Sequence, residues 1–458
     1  MTFDPISSLK AFVRFPSVST DPEFAEGMQG ARDWLCDFLK DMGFEARVAP
    51  TTGHPVVIAH RKVSEAAPHV VIYGHYDVQP PDPLDKWASP PFEAEVRGDR
   101  LYGRGAADNK GGLMAHLSSV KKLLAEQPDL PLNITFFVEG EEEIGSPSLS
   151  DILEKYGDEL RGDFLLLSDT MSPTPEQLGI TVALRGIVTM EVEITGPSSD
   201  LHSGLFGGAV YNPVQALAEV CASLHSPDGR VNVPNFYDAV VDVQQWERDE
   251  IARLGSDTES LRAFLDVPDF APTGGLSPME VTRVMPTLEF NGIGGGYQGA
   301  GDKTIVPSQA FAKISCRLVA NQEPAEIAAL VKKTLLERCP PQVRMEVHVG
   351  HHGPAYRVVP PGRSDTPADQ NAALARAFVA AEEAAKEVFG DTPVYLREGG
   401  SIPIIGQLKA ALGMDALMVG VFTDKDRHHA PNESLHLGLF EKGQLISRAI
   451  LEAVAKKA

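Results

Sequence analysis

Short apolar runs of β-forming residues alternate with helical stripes through the first part of the chain. Val70–Tyr73, Ile134–Val138 and Phe164–Leu167 read as buried strands, after Phe44–Ala49 and Val56–Ala59. Between them lie helical spacings: Ile6, Leu9 and Val13; Ala31, Trp34, Leu35, Phe38, Leu39 and Met42, stopped by Gly43; Leu113, Leu117, Val120 and Leu124; and Leu149–Leu153. Strands that alternate with helices in this way pair in parallel, because the helix returns the chain to the same end of the sheet. The predicted fold class is therefore α/β, with a mostly parallel sheet.

At Leu184 the pattern changes. Val188, Met190, Val192 and Ile194 alternate with outward-facing residues, as in a half-exposed antiparallel strand. Asn212-Pro213 opens a helix, Ala310–Leu318 reads as a strand, Pro324 opens a second helix, and Val343–Val349 alternates again. That is an α+β domain, with Phe236–Pro286 read as an irregular, acidic, Pro-rich insertion. The α/β pattern resumes after Pro354–Pro367 with a helix over 371–389, a strand over Ala416–Phe422 and a final helix through Ile446, Ile450 and Val454. A chain of 458 residues exceeds what one core organises. The expected domains are 1–183 and 358–458 together, with 184–357 inserted between them.

Open α/β sheets place chemistry beyond the carboxyl ends of their strands. His75 and Asp77 follow VVIY, Glu141, Glu142 and Glu143 follow ITFFVEG, Asp169 follows FLLLS, and His428 and His429 come shortly after LMVGVF. Asp108 stands after Gly103 and Gly105 where the next helix begins. Singly, such residues are turn acids, helix caps or surface histidines. Together, two histidines and three carboxylates suit a pair of divalent ions sharing one carboxylate, and a further free carboxylate can move protons. Gly294–Gly299 fits G-x-G-x-x-G, but no helix follows it, so a lid loop is expected there instead of a dinucleotide site.

Composition narrows the alternatives. Sixty-three acidic against 41 basic residues leave a formal charge of −22, which argues against nucleic-acid binding. Four scattered cysteines form no C-x-x-C pair. Asp4 and Pro5 stand where a secretory signal would need an apolar stretch, and no run is long enough to span a bilayer. A cytoplasmic protein with no membrane partner is expected.

The stretches GHYDVQP, LYGRGAADNKGG, EEIGS, LSD, LRG, DLHSGLFGG, REGGSIP and HHAPNE run in order from residue 74 to 433. In this set the chain resembles the M20 family of metallopeptidases, in the branch of the cytosolic and carnosine-type dipeptidases. The resemblance implies a zinc-peptidase-like catalytic domain with an inserted lid and dimerisation domain. It implies two zinc ions, which manganese or cobalt can replace. Asp108 would bridge them, with His75 and Asp169 at one site and Glu143 and His429 at the other. Glu142 would be the general acid/base and Asp77 would orient His75. Counting back from Gly145 selects Glu142 and Glu143 and leaves Glu141 a bystander, and His-x-x-Asn-Glu selects His429 over His428. A cis peptide between Asp108 and Asn109 is implied as well. In such relatives the histidine at the position of His202 serves the other subunit's active site, so a homodimer with His202 acting in trans is expected. Arg317 would clamp a substrate carboxylate, with Ser401, Gly400, Glu398, His351 and Thr304 as further substrate-site candidates.

The expected activity is metal-dependent hydrolysis of the peptide bond of dipeptides or short peptides. An N-acyl-amino-acid deacylase of the same superfamily is the nearest alternative; Asp rather than Glu at position 169 favours the peptidase. A non-catalytic, metal-stabilised binding protein is the alternative of another class, and the intact Glu142 argues against it.

Overall fold

The computed structural model describes residues 3–255, 258–272, 274–400 and 402–456. The chain divides into two compact units, one of Met1–Val182, Val358–Leu396 and Gln407–Ala458, the other of Ala183–Arg357 and Arg397–Gly406.

In the first unit the central strands are buried along their length, so hydrophobic burial holds them without any polar face. His69–His75 lies parallel to Asn133–Glu139 on one side and to Phe164–Leu167 on the other, and Phe164–Leu167 is parallel to Ala416–Val419. Val56–Arg61 and Glu45–Ala49 extend the sheet antiparallel at one edge, and Gly179–Leu184 does so beyond Ala416–Val419. The register pairs His75 with Glu139, so both strands end together. The helix Lys110–Glu126 is buried at every position from Lys110 to Val120. Glycine is required at its start: a Cβ on Gly112 would stand 1.8 Å from the Ser168 carbonyl oxygen. This close approach brings Asp108 beside the strand end that carries Asp169.

The second unit holds a four-stranded antiparallel sheet in the order Thr287–Gly295, Gln309–Leu318, Gly186–Thr195, Arg344–Gly353. Val188, Met190, Val192 and Ile194, with Ile314 and Cys316, bury one face against Ala216, Leu217, Ile327 and Val331 of the helices Pro213–Ser223 and Pro324–Arg338. The alternating residues leave the opposite face polar.

Phe236–Pro286 is not irregular. It contains the helices Gln245–Arg253, Thr258–Leu265 and Pro278–Val284. Capping boxes at Gln244/Glu247 and Ser277/Glu280 start two of them. Glu247 is also buried, 3.1 Å from Arg357 and 2.8 Å from Arg397. Such long-range ion pairs leave no periodic trace in a string of residues.

Candidate metal centre

Five side chains from separated segments of the first unit gather at the carboxyl ends of its strands. His75, Asp108 and Asp169 form one group, and Asp108, Glu143 and His429 another, with ligand atoms in each group within 4.8 Å of one another. Asp108 belongs to both. Its Oδ1 is 3.2 Å from His75 Nε2, and its Oδ2 is 2.9 Å from His429 Nε2. Asp169 Oδ2 is 3.7 Å from His75 Nε2, and Glu143 Oε2 is 3.3 Å from His429 Nε2. The Asp108–Asn109 peptide is cis.

Supporting groups fix these side chains. His75 Nδ1 lies 3.0 Å from the Asp77 carbonyl and 3.3 Å from its Oδ1, while Asp77 Oδ2 accepts from the Glu143 amide at 3.1 Å. One buried carboxylate thus sets both an imidazole and the glutamate turn. Asn109 Nδ2 donates to Asp169 Oδ1 at 2.9 Å, and Gln79 Nε2 to Glu143 Oε2 at 2.8 Å. Fully buried Glu433 accepts from the amides of Gly105, Ala107 and Asp108 and from Arg104 Nη1 at 2.6 Å. Glu433 therefore holds the whole loop that presents Asp108. Glu141, outside both ligand groups, has a structural place: it accepts from the His54 amide at 2.8 Å and the Ser148 amide at 2.9 Å, closing the base of the turn.

The electrostatics call for positive charge. Asp77, Asp108, Glu142, Glu143 and Asp169 surround two imidazoles. Burial would lower His75, yet Asp108, Asp169 and Asp77 hold it well above the usual histidine range. Hydrogen bonds to Asp108 and Glu143 push His429 up to about 10. Burial, then the carboxylates of Asp169, Asp108 and Glu143, raise Glu142 well above the usual range against the opposing His75. His75 Nε2 is buried without a hydrogen-bond partner, directed at two carboxylates. An orphaned imidazole nitrogen among hard oxygen donors fits a divalent cation.

Comparison with known proteins agrees with this geometry. Residues 71–453 match Peptidase family M20/M25/M40. The chain belongs to this family. It is 28% identical over 456 residues to the Cys-Gly metallodipeptidase dug1 of Schizosaccharomyces pombe, covering 96% of this chain and 93% of the relative. It is 30% identical over 410 residues to the human Beta-Ala-His dipeptidase, covering 88% and 78%. Among solved structures, the M20 family metallo-carboxypeptidase Sso-CP2 from Sulfolobus solfataricus superposes with a TM-score of 0.84 at 31% identity, covering 99% of this chain and 100% of that one. The α/β architecture with an additional antiparallel sheet is the M20 peptidase fold, and the chain is a peptidase of that family.

The remaining described candidates of this M20 chain lie in its second unit. Exposed His202 ends a short strand paired with Ile305–Val306, accepts from the Gly204 amide at 3.0 Å, and is joined to Thr304 through the Ser203 amide. Half-buried Arg317 stands on the polar sheet face, opposite Ile187 and Thr287. His351 is on the same sheet, 3.2 Å from Thr189 Oγ1. Glu398 closes the strand Val394–Glu398, and the Gly400 carbonyl accepts from the Arg185 amide at 3.1 Å. Ser401 lies outside the described residues.

Proposed function

We propose that this M20 peptidase is a dipeptidase that uses two divalent ions, zinc in the native protein. His75, Asp108 and Asp169 would hold one ion and Asp108, Glu143 and His429 the other. The observation that carries this reading is the shared Asp108, one oxygen toward each histidine, with Glu142 left outside both ligand groups. Bound there, the ions supply Lewis acidity toward a carbonyl and acidify water. Glu142 takes the proton of the attacking water and returns it to the leaving amine, a task that suits a carboxyl raised above its usual range. Asp77 keeps His75 in one orientation. His202, from the other subunit of a homodimer, donates to the developing oxyanion. Arg317 holds the substrate's terminal carboxylate. Four unpaired cysteines favour a cytoplasmic setting, and no helix among the described residues is long and apolar enough to cross a membrane.

The test is hydrolysis of Cys-Gly and β-Ala-His after reconstitution with Zn²⁺ or Mn²⁺. Cleavage that chelation abolishes is expected; no turnover of any dipeptide refutes the reading. Mixing His202→Ala with Glu142→Ala protein should restore part of the activity if the histidine acts in trans. The similarity to a metallo-carboxypeptidase favours a second reading, release of one C-terminal residue from longer chains. Equal or faster cleavage of a tripeptide at its last bond would select it.

A further inference from the structure

His202 ends a short ribbon in the second unit, in which Leu201–His202 pairs antiparallel with Ile305–Val306. A two-stranded pairing this short does not hold itself together in water, so other contacts have to fix it. Asp200 supplies them from the position just before the strand. Its Oδ1 accepts from the Ser308 amide at 3.1 Å and the Ser308 hydroxyl at 3.2 Å, and its Oδ2 lies 3.2 Å from Lys303 Nζ. One carboxylate thus grips the partner segment on both sides of Ile305–Val306. The Ser203 amide donates to the Thr304 carbonyl at 3.0 Å, and the Gly196 amide to the Ser308 carbonyl at 2.9 Å, so the backbone closes the ribbon at either end.

The imidazole itself is held by Gly204. A backbone N–H can only donate, so the Gly204 amide, 3.0 Å from His202 Nδ1, makes that nitrogen an acceptor. The proton of the neutral ring then sits on Nε2. Among the described residues nothing bonds to Nε2, which leaves its N–H available to a ligand. Position 204 also has to be small. A Cβ there would stand 3.0 Å from His202 Cε1 and 3.2 Å from Nδ1, close enough to push the ring off the amide. The opposite tautomer would present a lone pair at Nε2, which repels an oxyanion instead of binding it.

We propose that Asp200 and Gly204 are positioning residues for His202: Asp200 sets the ribbon that carries it, and Gly204 keeps its ring as the Nε2–H donor. This rests on the reading above, in which His202 donates to the oxyanion formed in the other subunit.

The test uses the metal-reconstituted full chain and a dipeptide substrate. Asp200→Ala and Gly204→Ala should each lower kcat by about 10- to 100-fold with KM nearly unchanged, because the contact they align forms only in the transition state. Asp200→Asn keeps an acceptor for Ser308 and should lose less. Exposed ion pairs add little stability, so the urea midpoint of Asp200→Ala should match wild type. In a His202→Ala background either substitution should cost nothing further, whereas an undiminished further loss overturns the proposal. Mixing Asp200→Ala with Glu142→Ala protein should recover activity, because the Glu142→Ala subunit lends an intact His202. Mixing Asp200→Ala with His202→Ala should recover none. Recovery in both mixtures, or in neither when His202→Ala with Glu142→Ala does recover, also overturns it. If His202→Ala keeps wild-type kcat, or no dipeptide is cleaved, the reading of His202 fails on its own, and the positioning is read by nitrogen NMR of histidine-labelled protein. At a pH where the ring is neutral, the Nε2–H tautomer alone in wild type and a mixture in Gly204→Ala support it; a mixture or the Nδ1–H form in wild type sinks it.

Discussion

Around Asp108, ligand-type side chains converge from the ends of four strands that are distant in sequence. Around Arg317 in the second unit, basic side chains stand on different elements: Arg317 on the four-stranded sheet, Arg185 between two strands and Arg283 at the end of a helix. Both regions withdraw charge from water, with opposite sign. The first is held by fixed donors: Asn109 on Asp169, Gln79 on Glu143 and the Glu143 amide on Asp77. In the second, Arg185 and Arg283 donate to the Gly399 and Met279 carbonyls, and Arg357 and Arg397 share the buried carboxylate of Glu247. A reaction centre needs its groups immobile before substrate arrives, and the fixed donors of the first region meet that need.

The contrast can be broken by substitution. The largest effect is expected at Glu142: Glu142→Ala should cut kcat by about 10³- to 10⁴-fold, as loss of a general acid/base does, with metal content by mass spectrometry unchanged. Residual activity within tenfold of wild type would remove Glu142 from the proton path. Next comes Glu433, which binds no metal in this reading. Glu433→Ala leaves Arg104 buried and unpaired, and should destabilise the protein by about 3–5 kcal/mol in urea unfolding. A loss below about 1 kcal/mol would mean the Asp108 loop is held by something else.

Glu139 sharpens the comparison from below the site. Burial pushes its carboxyl up to about 7 despite hydrogen bonds from Tyr73 and Ser146. A raised folded-state value gives stability that is complete below the unfolded carboxylate range and lost as pH rises through about 7. Metal-free wild type should therefore lose stability relative to Glu139→Gln between about pH 5 and pH 8, by on the order of 3 kcal/mol. A melting-temperature difference that stays constant over this window would show that Glu139 is ionised throughout. The smallest effect is expected at Asp77: Asp77→Asn should weaken metal affinity by about 10- to 100-fold in a chelator competition, with the fold intact. Unchanged affinity would place the orienting role on the Asp77 carbonyl instead.

Much of the centre is legible in the residue string because each ligand follows directly on a buried strand. His75 ends VVIYGH, Asp169 follows FLLLS, and the glutamates follow ITFFVEG. The register between Glu142 and Glu143 needed the glycine at 145, whose φ of 82° closes the turn. Glu433, Gln79 and Asn109 carry no such signal, since a polar residue in a loop looks the same whether it faces solvent or clamps a neighbour. Arg185 and Arg283 are hidden for the same reason. They are 98 positions apart in the chain, and only strand pairing and a helix end bring them to one patch.

By itself, the order of apolar runs and helical stripes determines an α/β layer with a second antiparallel sheet, and it marks the strand ends where ligands can stand. That much is local, because burial of one strand or one helix face depends on periodicity alone. The tertiary structure alone decides that Asp108 offers one oxygen to each histidine and that Glu433 grips its loop. Both rest on contacts between segments far apart in the chain, as Asp108 and His429 are, whose energies belong to contacts and not to any segment; the helices within Phe236–Pro286, by contrast, have local starts in their capping boxes.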